Sequence, residues 1–223
     1  MKNNKIFFWS LTVALAGFLF GFDTVVISGA DLPLQELWQR SELFHGVVIM
    51  ASALWGTVVG ALLGWIPTDK LGRKKTLFWI GVLYTISAIG SAMATDPWIF
   101  AFFRFLGGLG VGASTIAAPA YVSEIAPAND RGKLVALYQF NIVFGIMIAF
   151  ISNYLLSGIE TDAWRWMVGV EAIPAVIYTL MVMSVPRSPR WLLTKTNNRE
   201  EAAETLKLIN PNEETEAQIQ AIL

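Results

Sequence analysis

Apolar residues run along this chain in long, nearly unbroken segments. Residues 6 to 28 read IFFWSLTVALAGFLFGFDTVVIS, with Asp23 the single charge. Further segments follow at 44–67, 74–94, 98–122, 134–156 and 165–185, each close to the ~20 residues an α-helix needs to cross a bilayer core. The pattern predicts an all-α polytopic membrane protein whose six spanning helices occupy residues 1–185. Residues 186–223 form a polar tail, and from Thr194 they read TKTNNREEAAETLKLINPNEETEAQIQAIL. A short amphipathic helix is predicted over 198–209, with Ala202, Leu206 and Ile209 on one face, and another over 213–222, separated at Asn210-Pro211. The first segment reads as a span rather than a signal peptide, because it lacks an A-x-A-like cleavage site and more spans follow.

Composition agrees. Hydrophobic residues make up 55% and charged residues 15%, against about 25% charged in an ordinary soluble domain. Nine Trp and 14 Phe suit helices with ends at a lipid–water interface. Net charge is -1, which offers no argument for a nucleic-acid partner. With no Cys and one His, His45, disulfides, thiol chemistry and the common zinc ligand sets are closed to the chain. No cofactor is expected.

Six spans put both termini on one side. Of the 16 Lys and Arg, only Arg40 and Arg165 fall in the odd-numbered loops, and Arg104 lies within a span. The rest, from Lys2 and Lys5 to the basic turn at 69–75 and the tail, fall at the termini and even-numbered loops. The positive-inside rule makes those cytoplasmic and the chain a multi-pass protein of the plasma membrane, or inner membrane of a bacterial cell. Glycines in GTVVGALLG (56–64) and GGLGVG (107–112) suit close helix approach. No strand or Lys-Ser/Thr accompanies them, so a phosphate-binding loop is rejected.

Charges inside spans cost several kcal/mol unless paired, hydrated or protonated, so Asp23 and Arg104 are the first functional candidates. Asp23 falls about five residues, ~7.5 Å, and Arg104 about six residues, ~9 Å, below the same surface. Such a pair is either a static offset of its own desolvation or a coupling device, in which Asp23 takes up a proton as Arg104 moves away. Asp69, Arg73, Glu124 and Arg131 sit at the cytoplasmic ends, where the turn DKLGRKK (69–75) reads as a latch between helix ends. Lys74 and Lys75 also suit topology anchoring and anionic headgroups. Gln139 shares a helical face with Ile146, and its amide serves either helix-to-helix bonding or a wet cavity. Glu171 requires water, Arg165 across a backbone bend, or another partner.

Several of these segments together resemble the sugar porter family of the major facilitator superfamily. The resemblance runs from about residue 10 to 193. It rests on GFLFGFDTVVISGA (17–30), DKLGRKK (69–75), FRFLGGLGVG (103–112), the spaced set Tyr121, Glu124, Pro127, Arg131 and Gly132, and PRSPRWLL (186–193). It implies one six-helix bundle of 3+3 inverted repeats, the N-terminal half of a carrier that binds a monosaccharide at the midplane between two bundles and works by alternating access. By resemblance, Asp23 and Arg104 are the proton-coupling pair of the bacterial symporters, and Phe20, Gln139 and Ile146 face the sugar. Asp69, Arg73, Glu124, Arg131 and Arg190 form a charged gating network. Ile146 stands where some symporters place a second glutamine.

Two departures border the charged turn. Trp65 stands where the loop motif begins with glycine, and Arg187 replaces an acidic residue, so the latch is expected to be weaker or rearranged. Pro67 marks an expected helix boundary. The expected function is proton-coupled sugar transport, with the proton as coupling ion and the sugar, membrane lipid and a C-terminal half or second copy as partners. The alternatives are an assembly module inactive without a second half, a facilitative sugar carrier, and, less favoured, a carrier of organic acids or drugs. An enzyme ranks last, since no paired nucleophile and base is visible.

Overall fold

The computed structural model describes residues 4–126, 130–159, 161–211 and 214–223; Lys2, Pro127 and Glu213, singled out above, lie outside them. The described residues are helical and contain no strand. Helix α1 spans Asn4–Trp38. Helix α2 (Glu42–Phe44) runs through a π-helical turn at His45–Met50 into α3 (Ser52–Leu63), and α4 (Trp65–Lys70) precedes α5 (Arg73–Ala92). Helices α6 (Pro97–Ile125), α7 (Arg131–Leu156), α8 (Ala163–Gly169) and α9 (Ala172–Met183) complete the bundle. The tail holds α10 (Pro189–Trp191), a π-helical turn at Leu192–Thr196, α11 (Arg199–Ile209) and α12 (Thr215–Ile222). Among the described residues five helices are long and apolar enough to cross a membrane, or six when the pair Glu42–Met50 and Ser52–Leu63, bent by 40°, counts as one span.

Boundaries differ where hydropathy alone misleads. The first segment was expected to end near residue 28, yet α1 continues to Trp38 across Pro33. Beyond the apolar run its pattern becomes amphipathic: Ala30 and Leu34 are buried, and Trp38 packs edge-on to Phe100 and Trp164, with centroids 5.5 and 6.1 Å away. Tertiary packing thus extends the helix past the fall in hydropathy. Pro67 was expected to bound a helix. The break instead falls at Gly64, and Pro67 sits in the first turn of α4, where its missing N–H leaves no bond unmade.

Close approach between α3 and α6 depends on residues without side chains. A Cβ on Gly56 or Gly60 would strike the backbone carbonyl of Phe105 or Leu109, and one on Gly112 would strike that of Thr57. Helices α1 and α7 meet in the same way at Gly17, Gly21 and Gly145. The packing role expected of the glycine-rich segments is what the α3–α6 pair displays. Asn153 adds an interhelical bond, donating from Nδ2 to the Val26 carbonyl at 3.1 Å.

The tail folds back on one end of the bundle. Ala202, Leu206 and Ile209 of α11 are buried, and Leu192, Leu193 and Ile219 share a small core with Trp191.

Candidate functional site

Asp23 on α1 and Arg104 on α6 are each 1% exposed. Arg104 Nη1 donates to Asp23 Oδ1, and Nη2 donates to the Asp23 backbone carbonyl at 2.9 Å. Side chain and main chain are thus held by one guanidinium, a geometry that fixes orientation as well as charge. Gly107 keeps the approach open: a Cβ there would strike Ser87 Oγ and lie 3.8 Å from Asp23 Oδ1.

Glu171, at the junction of α8 and α9, is also 1% exposed and lies within electrostatic reach of both members of the pair. Its Oε1 is buried with no hydrogen-bond partner among the described residues. Arg165, the partner considered from sequence, is engaged elsewhere. It donates to the carbonyls of Ala92 and Ala94 at 2.7 and 2.8 Å and lies over the Trp164 ring. Six residues along a helix turn the two side chains to different faces. Two buried carboxyls near one guanidinium leave a negative charge uncompensated when all are ionised, so charge balance calls for a proton or a second cation.

The surrounding wall is polar and buried. Ser114 Oγ and Tyr138 OH are 3.2 Å apart, and the hydroxyls of Tyr84, Ser87, Ser91 and Tyr178 are buried without a hydrogen-bond partner among the described residues. Sequence reasoning passed over these residues. Tyrosines and serines scattered over four spans share no spacing that betrays a common site.

Phe20 on α1 and Ile146 on α7 are half-buried, and Gln139 on α7 is exposed. Gln139 makes no hydrogen bond within the described residues, so its amide does not bond helix to helix here; Asn153 does. Around Gln139 the outer face of α7 carries exposed Phe140, Val143 and Phe144, with Phe140 and Phe144 stacked at 6.1 Å.

At the opposite end from Trp38, the charged residues form a cluster. Arg73 Nη2 lies 2.9 Å from Glu124 Oε1 and its Nη1 3.9 Å from Asp69 Oδ1. Ser188 donates to Glu124 Oε2 at 2.5 Å, Lys195 reaches Asp69 Oδ2 at 2.6 Å, and the Trp191 indole donates to the Asp69 carbonyl at 2.7 Å. The Trp191 ring lies 2.9 Å from where a Cβ on Gly72 would stand, and Gly72 adopts φ 86°, so glycine is required there twice over. Arg131 and Arg190 are exposed and stand outside the cluster, with no ion-pair partner among the described residues. Trp65 is exposed and makes no polar contact with it. Arg187 finds an acid: its Nη1 lies 3.3 Å from Glu201 Oε2 on α11. The positive charge that sequence left unmatched is met by the folded-back tail. Among the described residues no group of His, Asp and Glu assembles to hold a metal.

Apolar spans around a buried acid–base pair, with a charged cluster at one end, define a polytopic helical bundle of the transporter class. The family model described as sugar (and other) transporter matches residues 9–223, and the chain belongs to this family. It is 43% identical over 201 residues to a glucose transport protein of Synechocystis sp., covering 85% of this chain and 43% of that protein. It is 35% identical to the D-xylose-proton symporter of Escherichia coli K12, covering 95% of this chain and 49% of that protein. Among solved structures, the E. coli xylose transporter in a partially occluded inward-open conformation superposes with a TM-score of 0.91 at 35% identity, over 98% of this chain and 58% of that one. The E. coli proton:xylose symporter bound to 6-bromo-6-deoxy-D-glucose gives 0.92 at 34% identity, covering 98% and 52%. The fold is therefore a major facilitator bundle, and its relatives are carriers rather than enzymes. The chain spans about half the length of the curated relatives it matches.

Proposed function

We propose that this chain supplies the N-terminal bundle of a proton-coupled monosaccharide carrier that works by alternating access, with both termini cytoplasmic. The observation that carries the reading is the buried constellation of Asp23, Arg104 and Glu171. A bundle that served only to pack would place apolar groups there, since replacing buried ion pairs by hydrophobic residues is often neutral or stabilising. Ionisable groups inside a membrane bundle mark ion and proton pathways. Proton entry at Asp23 weakens its hold on Arg104, which lets α1 and α6 shift relative to one another. The relatives named as a proton symporter and a glucose transport protein support the same assignment.

Gln139, Phe20 and Ile146 contribute one wall of the sugar site, facing a second bundle across the exposed surface of α7. Asp69, Arg73 and Glu124, with the tail residues Ser188, Trp191 and Lys195, form a latch that holds the N-terminal end of α5 and the C-terminal end of α6 together in one conformation. Arg131 and Arg190 join the latch only in company with the second bundle. The test is sugar-dependent proton uptake in liposomes, with this chain alone and co-reconstituted with a matching C-terminal half. Uptake that requires both halves is expected. Sugar flux without proton movement would replace symport by facilitation.

A further inference from the structure

At the basic end, α5 and α9 leave between them a groove of about 300 Å³, lined by Lys74, Lys75, Phe78, Trp79, Val182, Met183 and Arg187. Its two ends differ in chemistry. Lys74, Lys75 and Arg187 gather at the mouth, and no acid lines it. The mouth continues into a second small hollow bordered by Gly72, Arg73 and Ser188. One turn deeper, about 6 Å along the helix, the lining becomes aromatic and aliphatic, with Trp79 54% and Met183 52% exposed.

The acid paired with this group is Glu201, whose Oε2 lies 3.3 Å from Arg187 Nη1 and also accepts from Asn198 Nδ2 at 3.1 Å. Lys74 donates to the Met183 carbonyl at 2.8 Å, which ties α5 to α9 across the groove and leaves the ammonium its remaining protons. Lys75 is exposed and has no ion-pair partner among the described residues. Three cations against one acid leave an excess positive charge at the mouth. The N-terminus of α5 adds to it, since its first turn holds no acidic residue and Gly72 provides no side-chain cap.

We propose that this groove is a binding site for an anionic phospholipid, its phosphate held by Lys75, Arg187 and Lys74 and an acyl chain lying along Trp79, Val182 and Met183. Each feature answers a part of that molecule. The cations and uncapped amides match a phosphate, the exposed tryptophan one turn inward sits at headgroup depth, and the apolar floor opens sideways toward lipid. The volume falls at the lower end of ligand pockets, ~300–1,000 Å³, enough for a headgroup with the chains outside. A free phosphate or sugar phosphate would use the cations alone and leave the exposed apolar floor unexplained. Arg187 is decisive, because an acidic residue in its place would remove one cation and repel the phosphate. The bound lipid would bridge α5, α9 and the start of the tail.

Native mass spectrometry of the full chain in neutral detergent provides the test, with dioleoyl phosphatidylglycerol, dioleoyl phosphatidylcholine and inorganic phosphate as probes. Retention of phosphatidylglycerol over phosphatidylcholine is expected, with about fivefold weaker binding for each cation removed in Lys75→Gln and Arg187→Gln. Lys75→Gln alters an exposed residue, and a thermal melt of each variant separates lost binding from lost fold. Equal retention of the two lipids, binding unchanged in both folded variants, or displacement of the lipid by inorganic phosphate at millimolar concentration would each overturn the proposal. No arm of the experiment depends on sugar or proton transport.

Discussion

Arg104 grips Asp23 at two points, the carboxylate and, at 2.9 Å, the residue's own backbone carbonyl. The second bond ties the guanidinium to the α1 main chain, so any release of the carboxylate is felt by α1 as a rigid element. Two helices that move together when the bond forms and separately when it breaks provide the bistable element that a coupled carrier needs.

Asp23→Asn is expected to abolish uphill accumulation while leaving sugar exchange measurable in liposomes that also hold the matching second half. Exchange returns loaded carrier without net protonation, whereas accumulation requires it. Parallel loss of both activities would remove Asp23 from coupling.

Glu171→Gln isolates the second acid. Removing its charge leaves Asp23 and Arg104 as a balanced pair, so the stoichiometry of protons moved per sugar, or the pH at which accumulation fails, should change while membrane insertion does not. A variant with the parental pH profile would restrict Glu171 to packing.

Gln139→Ala should weaken sugar binding about fivefold, the value of one neutral hydrogen bond of roughly 1 kcal/mol. Its amide makes no hydrogen bond among the described residues, so the melting temperature of the chain should stay within about a degree or two. Isothermal titration of the reassembled carrier reads the first quantity, and an unchanged isotherm would reject the contact.

The acids at the latch end of the bundle should be unequal. Glu124, 8% exposed at its side chain, holds Arg73 at 2.9 Å and Ser188 at 2.5 Å, so Glu124→Gln should cost about 1–3 kcal/mol by leaving buried donors poorly met. Glu201 and Arg187 are 35% and 43% exposed, and Glu201→Gln should cost under about 1 kcal/mol. Protease sensitivity of the tail and chemical unfolding in detergent measure both.

Gly56→Val tests the helix contact. Its branched side chain would meet the Phe105 carbonyl, and separation of α3 from α6 should destabilise the bundle by about 3 kcal/mol or more. Gly132→Ala, where nothing stands within 4 Å, should leave stability unchanged or raise it by up to about 1 kcal/mol. Fluorescence-detected size exclusion after heating separates the two.

The spans and the central pair were legible because a bilayer constrains sequence locally. Twenty apolar residues specify a spanning helix without reference to the rest of the chain, and a charge within one needs a partner at matching depth, which pointed from Asp23 to Arg104. Glu171 was legible as an anomaly but its neighbours were not, since depth ranks partners along the membrane normal and leaves rotation about the helix axis open. Arg165 stood only six residues away in sequence, yet packing turned it to the carbonyls of Ala92 and Ala94.

The sequence alone determined the class of fold, its long apolar stretches and the identity of the two charges that must meet. Tertiary structure decided what those charges share a site with, how far α1 continues beyond the apolar run, and where the charge of Arg187 is spent. Glu201 lies 14 residues beyond Arg187, past the turn where the tail reverses, and only the burial of Ala202, Leu206 and Ile209 brings it back. Local hydropathy encodes transfer into lipid, residue by residue; the pairing of side chains depends on which helix faces meet, and that is set by the packing of the whole bundle.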